Sequence, residues 1–468
     1  TMQAMNCNYG EPQWDEASLE RVDWERAHLI RFNQTRLCLV GTRRVPPPPC
    51  HRCMRTPTSG VKSGRGLLFL RRARPARRRP AMVPNPRHIR RLLLVAATAA
   101  FIYIQVRHFS AQSHDAGRLA LAGADQPDLS VAAVVIMACN RPDYLHRTVE
   151  SILKYQKAVA SKFPLFISQD GTNGEVKNKA LSYTQITFMQ HVDLEPVHTE
   201  SPGEHIAYYK IANHYKWALD ELFTKRNFRR VIILEDDMEI APDFFDYFEA
   251  AAKLLDTDKS IMAVSSWNDN GQKQFVYDPK ALYRSDFFPG LGWMLTKSTW
   301  MELSPKWPKA YWDDWVRLKE VHKDRQFIRP EVCRTYNFGE HGSSMGQFFN
   351  QYLKPIKLND AHIDWNSEDL SYLSEDKFLI KFGKDVANAT PVHGSDDLLK
   401  AHNLYVDVRI QYNDQGDFER VARQFGVFEE WKDGVPRAAY KGVVVFRYKS
   451  SRRRIYLVGP DSLRQLGV

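Results

Sequence analysis

Val231-Ile232-Ile233-Leu234-Glu235-Asp236-Asp237 is the stretch that decides the fold of this chain. Four apolar, mostly β-branched residues in a row read as a strand of a parallel sheet, covered on both faces. The three acids that follow sit at the C-terminal end of such a strand, where open α/β sheets bind ligands. Hard carboxylate oxygens there suit Mg²⁺ or Mn²⁺ carrying a substrate diphosphate. The plainer alternative is a solvated strand end followed by a helix cap.

Outward from that junction, strand and helix patterns alternate. Val131–Met137 reads as a strand, Pro142–Tyr155 as a helix with Pro in its first turn, and Leu165–Ser168 as a second strand closed by Gln169-Asp170-Gly171. Ile186–Met189 makes a third strand. Tyr208, Ile211, Tyr215, Ala218, Leu219 and Leu222 form a helical stripe of period 3.6. A helix then starts at Pro242, and Ile261–Val264 is a further strand. Repeated β-α-β units predict a mostly parallel sheet with helices on both faces. After about residue 400 the rhythm changes to a small α+β appendage: a strand at Val406–Ile410, a helix at Phe418–Phe425, and a strand pair at Gly442–Arg447 and Arg454–Val458.

The net charge of +11 over 468 residues at first suggests a nucleic-acid partner. Its distribution removes that suggestion. Residues 1–91 hold 19 Lys and Arg against 6 Asp and Glu, leaving 47 against 49 for the remainder. The presumptive folded part is near neutral and carries no footprint for DNA or RNA. The basic block at 71–79 precedes Leu92–Ile104, an uncharged and mostly apolar run that Gln105 and Val106 extend. No small-residue cleavage site follows, so 92–106 reads as an uncleaved signal anchor, with a cytosolic basic segment at 1–91 and a short stem at 107–130. The expectation is a single-pass type II membrane protein, with Met82 as its usual start. Only Cys139 and Cys333 lie beyond the anchor, enough for one bridge but not for a disulfide framework.

Arg141 lies between the first strand and the following helix N-terminus, a setting that favours an anion. Asp170 closes the second strand, and the acidic triplet closes a third. Three polar clusters on one sheet edge read as a nucleotide-diphosphate site, with a metal on the acids, Arg141 at the phosphates and Asp170 toward base or ribose. Tyr311-Trp312-Asp313-Asp314-Trp315 is a second acidic site. Aromatic faces suit sugar rings, and a partly desolvated carboxylate can act as general base. The alternative role for Asp313 or Asp314 is capping the short helix through Arg317. Asp286–Trp293 and Gly339–Gly346 are glycine-punctuated loops, the first aromatic and the second suited to a closing lid. The first strand is not followed by a G-x-G-x-x-G, which argues against a dehydrogenase.

The stretches Val231–Phe245, Ser266–Gly271, Asp286–Trp293 and Pro305–Trp315 closely resemble the N-acetylglucosaminyltransferase I family, plant members above all, over about residues 131–468. The resemblance implies a GT-A-type catalytic domain at 131–400 with the α+β subdomain at 401–468. It also implies UDP-GlcNAc as donor, Mn²⁺ as cofactor, a high-mannose N-glycan as acceptor and a Golgi membrane location. The family's metal ligand maps onto Asp237, and Glu235 and Asp236 turn toward ribose or GlcNAc. Its uridine site maps onto Arg141, Asp170 and His214, and its general base onto Asp313. Leu291 and Trp312 fall with the donor site, and the donor-ordered loop maps onto 342–347 with Ser344 near the diphosphate. A transferase acting on protein-linked O-mannose, or a silent sugar-binding relative, would share most of these motifs.

Overall fold

The computed structural model describes residues 130–468, apart from 344, 345, 347, 401–403 and 450. Strands β1 (Ala133–Ala138), β2 (Leu165–Asp170), β3 (Thr187–His191) and β4 (Arg230–Glu235) come first in the chain. The short β5 (Met238–Ile240) precedes β6 (Ile261–Ser265), β7 (Leu282–Ser285), β8 (Trp293–Thr296) and β9 (Gln326–Pro330). Eight of these nine form one sheet in the order β3-β2-β1-β4-β8-β6-β9-β7. β1 pairs in parallel with both β2 and β4, and Met137 lies level with Glu235. The chain order reverses between β1 and β4, which makes a crevice at their C-terminal ends.

Both strands are buried along their whole length, which is why they appear in sequence as unbroken apolar runs. Successive residues serve opposite faces. Val134, Ile136, Ile232 and Leu234 belong to one core with the helices Pro142–Gln156 and Phe244–Thr257. Ala133, Val135, Val231 and Ile233 belong to the other, packed on Ile211, Ala212, Tyr215 and Leu219 of the helix Ile206–Asp220.

Two elements depart from the sequence expectation. β8 runs antiparallel between β4 and β6, and β7 is antiparallel to β9. Trp293–Thr296 emerges directly from the aromatic loop, so a four-residue strand had no periodic signal of its own. Cys333 is a buried free thiol, so no Cys139–Cys333 bridge forms. Burial pushes that thiol up to about 12.

β5 pairs with β10 (Thr335–Asn337). In the C-terminal part, β11 (Thr390–Val392), β12 (Val408–Gln411), the hairpin β13 (Trp431–Lys432) and β14 (Val435–Pro436), β15 (Val443–Arg447) and β16 (Arg454–Val458) follow. Four of them form a sheet ordered β11-β12-β16-β15. One of its faces, with Val444, Phe446, Ile455 and Leu457, packs on the helix Gln415–Phe425. Asp414 caps that helix and Gly426 ends it at φ 82°. The opposite face contributes Val443, Val445, Tyr456 and Val458 to the first core of the large sheet.

Asp243, fully buried, ties the region together. It accepts from Arg334 at 3.0 Å, Trp365 at 2.8 Å and Asn359 at 2.8 Å. Asp243→Ala leaves the buried guanidinium unpaired, and is expected to cost about 3–5 kcal/mol in urea unfolding. A loss below about 1 kcal/mol would contradict that assignment.

Candidate functional site

The acidic triplet straddles a tight turn: Glu235 ends β4, Asp236 and Asp237 make the turn, and β5 follows at once. All three are buried. Arg141, the residue preceding the helix Pro142–Gln156, donates from one guanidinium nitrogen to Asp236 and, at 3.0 Å, to Asp237. A second nitrogen donates to the carbonyl of His341 at 3.0 Å, fastening the glycine-rich segment to the site. Asn337 on β10 donates to the other Asp237 oxygen at 3.0 Å, and Gly339 N–H donates to Asn337 in turn. Gly339 lies so close that any Cβ there would overlap the Asp237 carboxylate.

Tyr215 donates to Glu235 at 2.6 Å. The other Glu235 oxygen and one Asp236 oxygen are buried without a hydrogen-bond partner. Burial, reinforced by the Asp237 charge, pushes Glu235 up to about 8. Burial also drives Asp236 up to about 6, although Arg141 opposes this. Three carboxylates against one guanidinium is a site short of positive charge. Among the described residues no cluster of three or more His, Cys, Asp or Glu forms a metal cage. A hard divalent cation does not need one, since it is commonly held by one or two carboxylates plus substrate phosphates. Asp237 and the two unpartnered oxygens therefore fit such an ion.

Beside the triplet, one pocket brings together Glu235, Leu291, Trp312, Asp313 and Arg317, with Tyr215 and Trp293 in its wall. Trp312 is stacked between Trp293 at 5.5 Å and Trp307 at 5.7 Å, and it meets Tyr215 at 4.6 Å. This aromatic packing is what the tryptophan-flanked acids signalled. Gly290, Leu291 and Gly292 all have positive φ, so the loop over the pocket takes left-handed turns, and a Cβ at Gly292 would strike Ser266 and Thr335. Neither Asp313 nor Asp314 caps the helix Trp312–Arg317, which corrects that reading. Arg317 instead donates to Asp313 at 2.9 Å and Asp314 at 2.8 Å.

Asp170 and His214 lie two strands away from β4, at the β2 end. His191 contacts Asp170 at 2.8 Å, and Ser168 contacts His214 at 2.8 Å. The two imidazoles stack at 5.7 Å, with Trp217 beside His191. Burial drives His214 down to about 4, so it is neutral in the fold. The unfolded chain then binds more protons below about pH 6.5. Stability from this residue is complete above pH 6.5 and is lost as pH falls toward 4, by up to about 3 kcal/mol. The urea midpoint of His214→Gln is expected to fall less than that of the parent between pH 7 and 4.5. Equal falls would contradict the assignment.

Of the site residues expected from sequence, Ser344 and half of its loop at 342–347 lie outside the described residues, as do the anchor at 92–106 and the stem up to 129. No described helix is long and apolar enough to cross a membrane. Four contributors went unread: Tyr215, His191, Asn337 and Arg317. Tyr215 was visible only as a position on an apolar stripe, Arg317 only by its helical spacing from Asp313 and Asp314, and the other two carried no local signal.

The sheet thus carries a buried acidic strand end at its order reversal, with a tryptophan-walled pocket beside it, the arrangement expected from the resemblance to a GT-A-type glycosyltransferase. The GNT-I family model matches residues 97–468. The chain is 72% identical over 340 residues, 73% of its own length and 76% of the relative's, to alpha-1,3-mannosyl-glycoprotein 2-beta-N-acetylglucosaminyltransferase of Arabidopsis thaliana. The chain belongs to the GNT-I family. Among solved structures, it is similar to the mannosyltransferase PcManGT of Pyrobaculum calidifontis in complex with GDP-Man and Mn²⁺, at 15% identity and TM-score 0.28, over 50% of this chain and 66% of that one. TarS 1-349 of S. aureus matches at 12% identity and TM-score 0.31, over 44% and 60%. Both matches span less than two thirds of the solved chain. At these scores nothing further rests on them.

Proposed function

We propose that this chain transfers GlcNAc from UDP-GlcNAc, in β-1,2 linkage, to the α-1,3-arm mannose of high-mannose N-glycans. The observation that carries the proposal is the 72% identity, over 340 residues, to the curated Arabidopsis enzyme. The reaction is an inverting single displacement. Asp313, at the floor of the aromatic pocket, takes the proton of the attacking mannose 2-hydroxyl. Arg317 favours its ionised form. Glu235, turned into the same pocket, accepts a hydroxyl of the donor sugar. Arg141 and the β1 and β4 strand ends face the diphosphate, and Asp170 and His214 face uridine. Mn²⁺ held by Asp237, when bound, supplies Lewis-acid stabilisation of the departing diphosphate. Closure of the loop at 342–347 over the donor excludes water. The enzyme works in the Golgi lumen, anchored by 92–106.

The test is mass gain. The protein, UDP-GlcNAc and Mn²⁺ are incubated with a five-mannose N-glycan and, separately, with an O-mannosyl peptide. One HexNAc on the glycan alone is the expected outcome. Transfer to the peptide alone would assign the chain to O-mannose modification, and no transfer to either would make it a silent sugar-binding protein.

A further inference from the structure

We propose that Lys432, on the C-terminal hairpin, is a positioning residue for Asp313: by neutralising Asp314 it leaves Arg317 to hold Asp313. The proposal rests on the reading of Asp313 as base. One guanidinium nitrogen of Arg317 serves two carboxylates, Asp313 at 2.9 Å and Asp314 at 2.8 Å. That trio alone carries a net negative charge. Lys432 Nζ, 2.5 Å from the other Asp314 oxygen, brings it to neutrality.

Isolated exposed ion pairs contribute little. This one differs, because it continues into a buried group. The Lys432 and Asp314 side chains are 28% and 27% exposed, whereas Arg317 is 5% exposed. Arg317 is fixed further by donation to the Phe288 carbonyl at 3.3 Å and by lying over the Phe287 ring at 4.8 Å. Lys432 is fixed as well. Its hairpin turns at Asp433 and Gly434, with φ of 50° and 83°. Trp431 packs edge-on against Tyr412 and Phe418. Arg437, just past β14, pairs with Glu430 at 2.8 Å and Asp269 at 3.3 Å. The hairpin of the C-terminal part thus delivers one cation to Asp314, on the helix that brings Asp313 and Arg317 to the pocket.

The charged and titratable groups around Asp313 and its partner come from several elements. Asp314 and Arg317 lie on the same helix, preceded by Tyr311. Tyr208 and Tyr215 come from the helix Ile206–Asp220, and Glu235 from the end of β4. Glu430, Lys432 and Asp433 come from the hairpin region, Asp269 from the loop after β6, and Glu320 from the helix after Arg317. Removing Lys432 exposes Asp313 to the full Asp314 charge and lets Asp314 draw Arg317 away. Removing the Asp314 charge does the reverse.

The experiment is the pH profile of kcat with UDP-GlcNAc and the five-mannose acceptor. In Lys432→Met the acidic limb is expected to move up by about half a pH unit, lowering kcat by up to about threefold on that limb and leaving the plateau above it unchanged. UDP-GlcNAc affinity stays at the parental value, and Lys432→Arg restores the profile. In Asp314→Asn the limb moves down, and the Lys432→Met/Asp314→Asn double variant follows Asp314→Asn. A limb that stays in place in both single variants, whatever happens to Tm or kcat, would overturn the proposal. Asp313→Asn run alongside separates the two levels. If it is inactive while the limbs stay in place, the Lys432 role alone falls; if it remains active, the base assignment falls and the Lys432 role with it.

Discussion

Asp313→Asn is expected to lower kcat by about 10³-fold, the usual span of a lost general base, while UDP-GlcNAc affinity stays within about threefold. The substitution is nearly isosteric, and Trp312 remains clamped by Trp293, Trp307 and Tyr215. Arg317 keeps Asp314 as an anionic partner, so the pocket floor does not collect an unpaired buried cation. Glu235, Asp236 and Asp237, the groups proposed to hold the donor, sit on a different element, the end of β4 and the β4–β5 turn. Loss of rate with retained donor binding is therefore the signature of a group that acts on the acceptor proton. It is measured by single-turnover kinetics together with calorimetric titration of UDP-GlcNAc. A kcat within tenfold of the parent would remove Asp313 from that role.

Asp237→Asn is expected to lower kcat/KM by about 10²- to 10⁴-fold and to abolish the dependence of UDP binding on Mn²⁺. The physical reason lies in the charge balance of the β4 end. Three buried carboxylates crowd together with one guanidinium, which pairs with Asp236 and Asp237 only, and burial holds Glu235 and Asp236 well above the ordinary carboxylate range. That crowding opposes folding and is relieved by a cation. Removing one charge should leave Tm equal to or above the parental value without added metal, while donor binding becomes indifferent to Mn²⁺. Calorimetry with UDP, with and without Mn²⁺, reads this apart from activity. Retained Mn²⁺-dependent UDP binding in the variant would contradict the assignment. A stability gain coupled to a loss of function is what a site strained for its chemistry predicts.

The two acidic motifs were legible for different reasons. Strand β4 announced itself because a strand buried on both faces has no polar alternation to hide in. Its acids could then be placed at the crevice from topology alone. The Trp312-Asp313 motif was legible because tryptophan needs burial, which desolvates its neighbours. The supporting residues were not. Tyr215 sits on the buried stripe of its helix, and only its hydroxyl, 2.6 Å from Glu235, distinguishes it from a core residue. Asn337 is 100 residues from Asp237 and meets it only because β10 pairs with β5. Lys432 is one lysine among many until the hairpin brings it to Asp314. Local pattern shows where an element lies and which face it buries; it carries no information on which distant side chain completes a charge pair. The antiparallel β8 was missed on related grounds, since four residues leaving an irregular loop are too short to show a period.

In the proposed reaction the acidic strand end and the tryptophan-walled pocket together perform an inverting transfer to one mannose hydroxyl. Proton NMR of the product formed from UDP-GlcNAc and the five-mannose N-glycan tests it most directly. A β-anomeric GlcNAc on the 2-position of the α-1,3-arm mannose is the predicted result. An α-anomeric product, or GlcNAc at any other position, would contradict it.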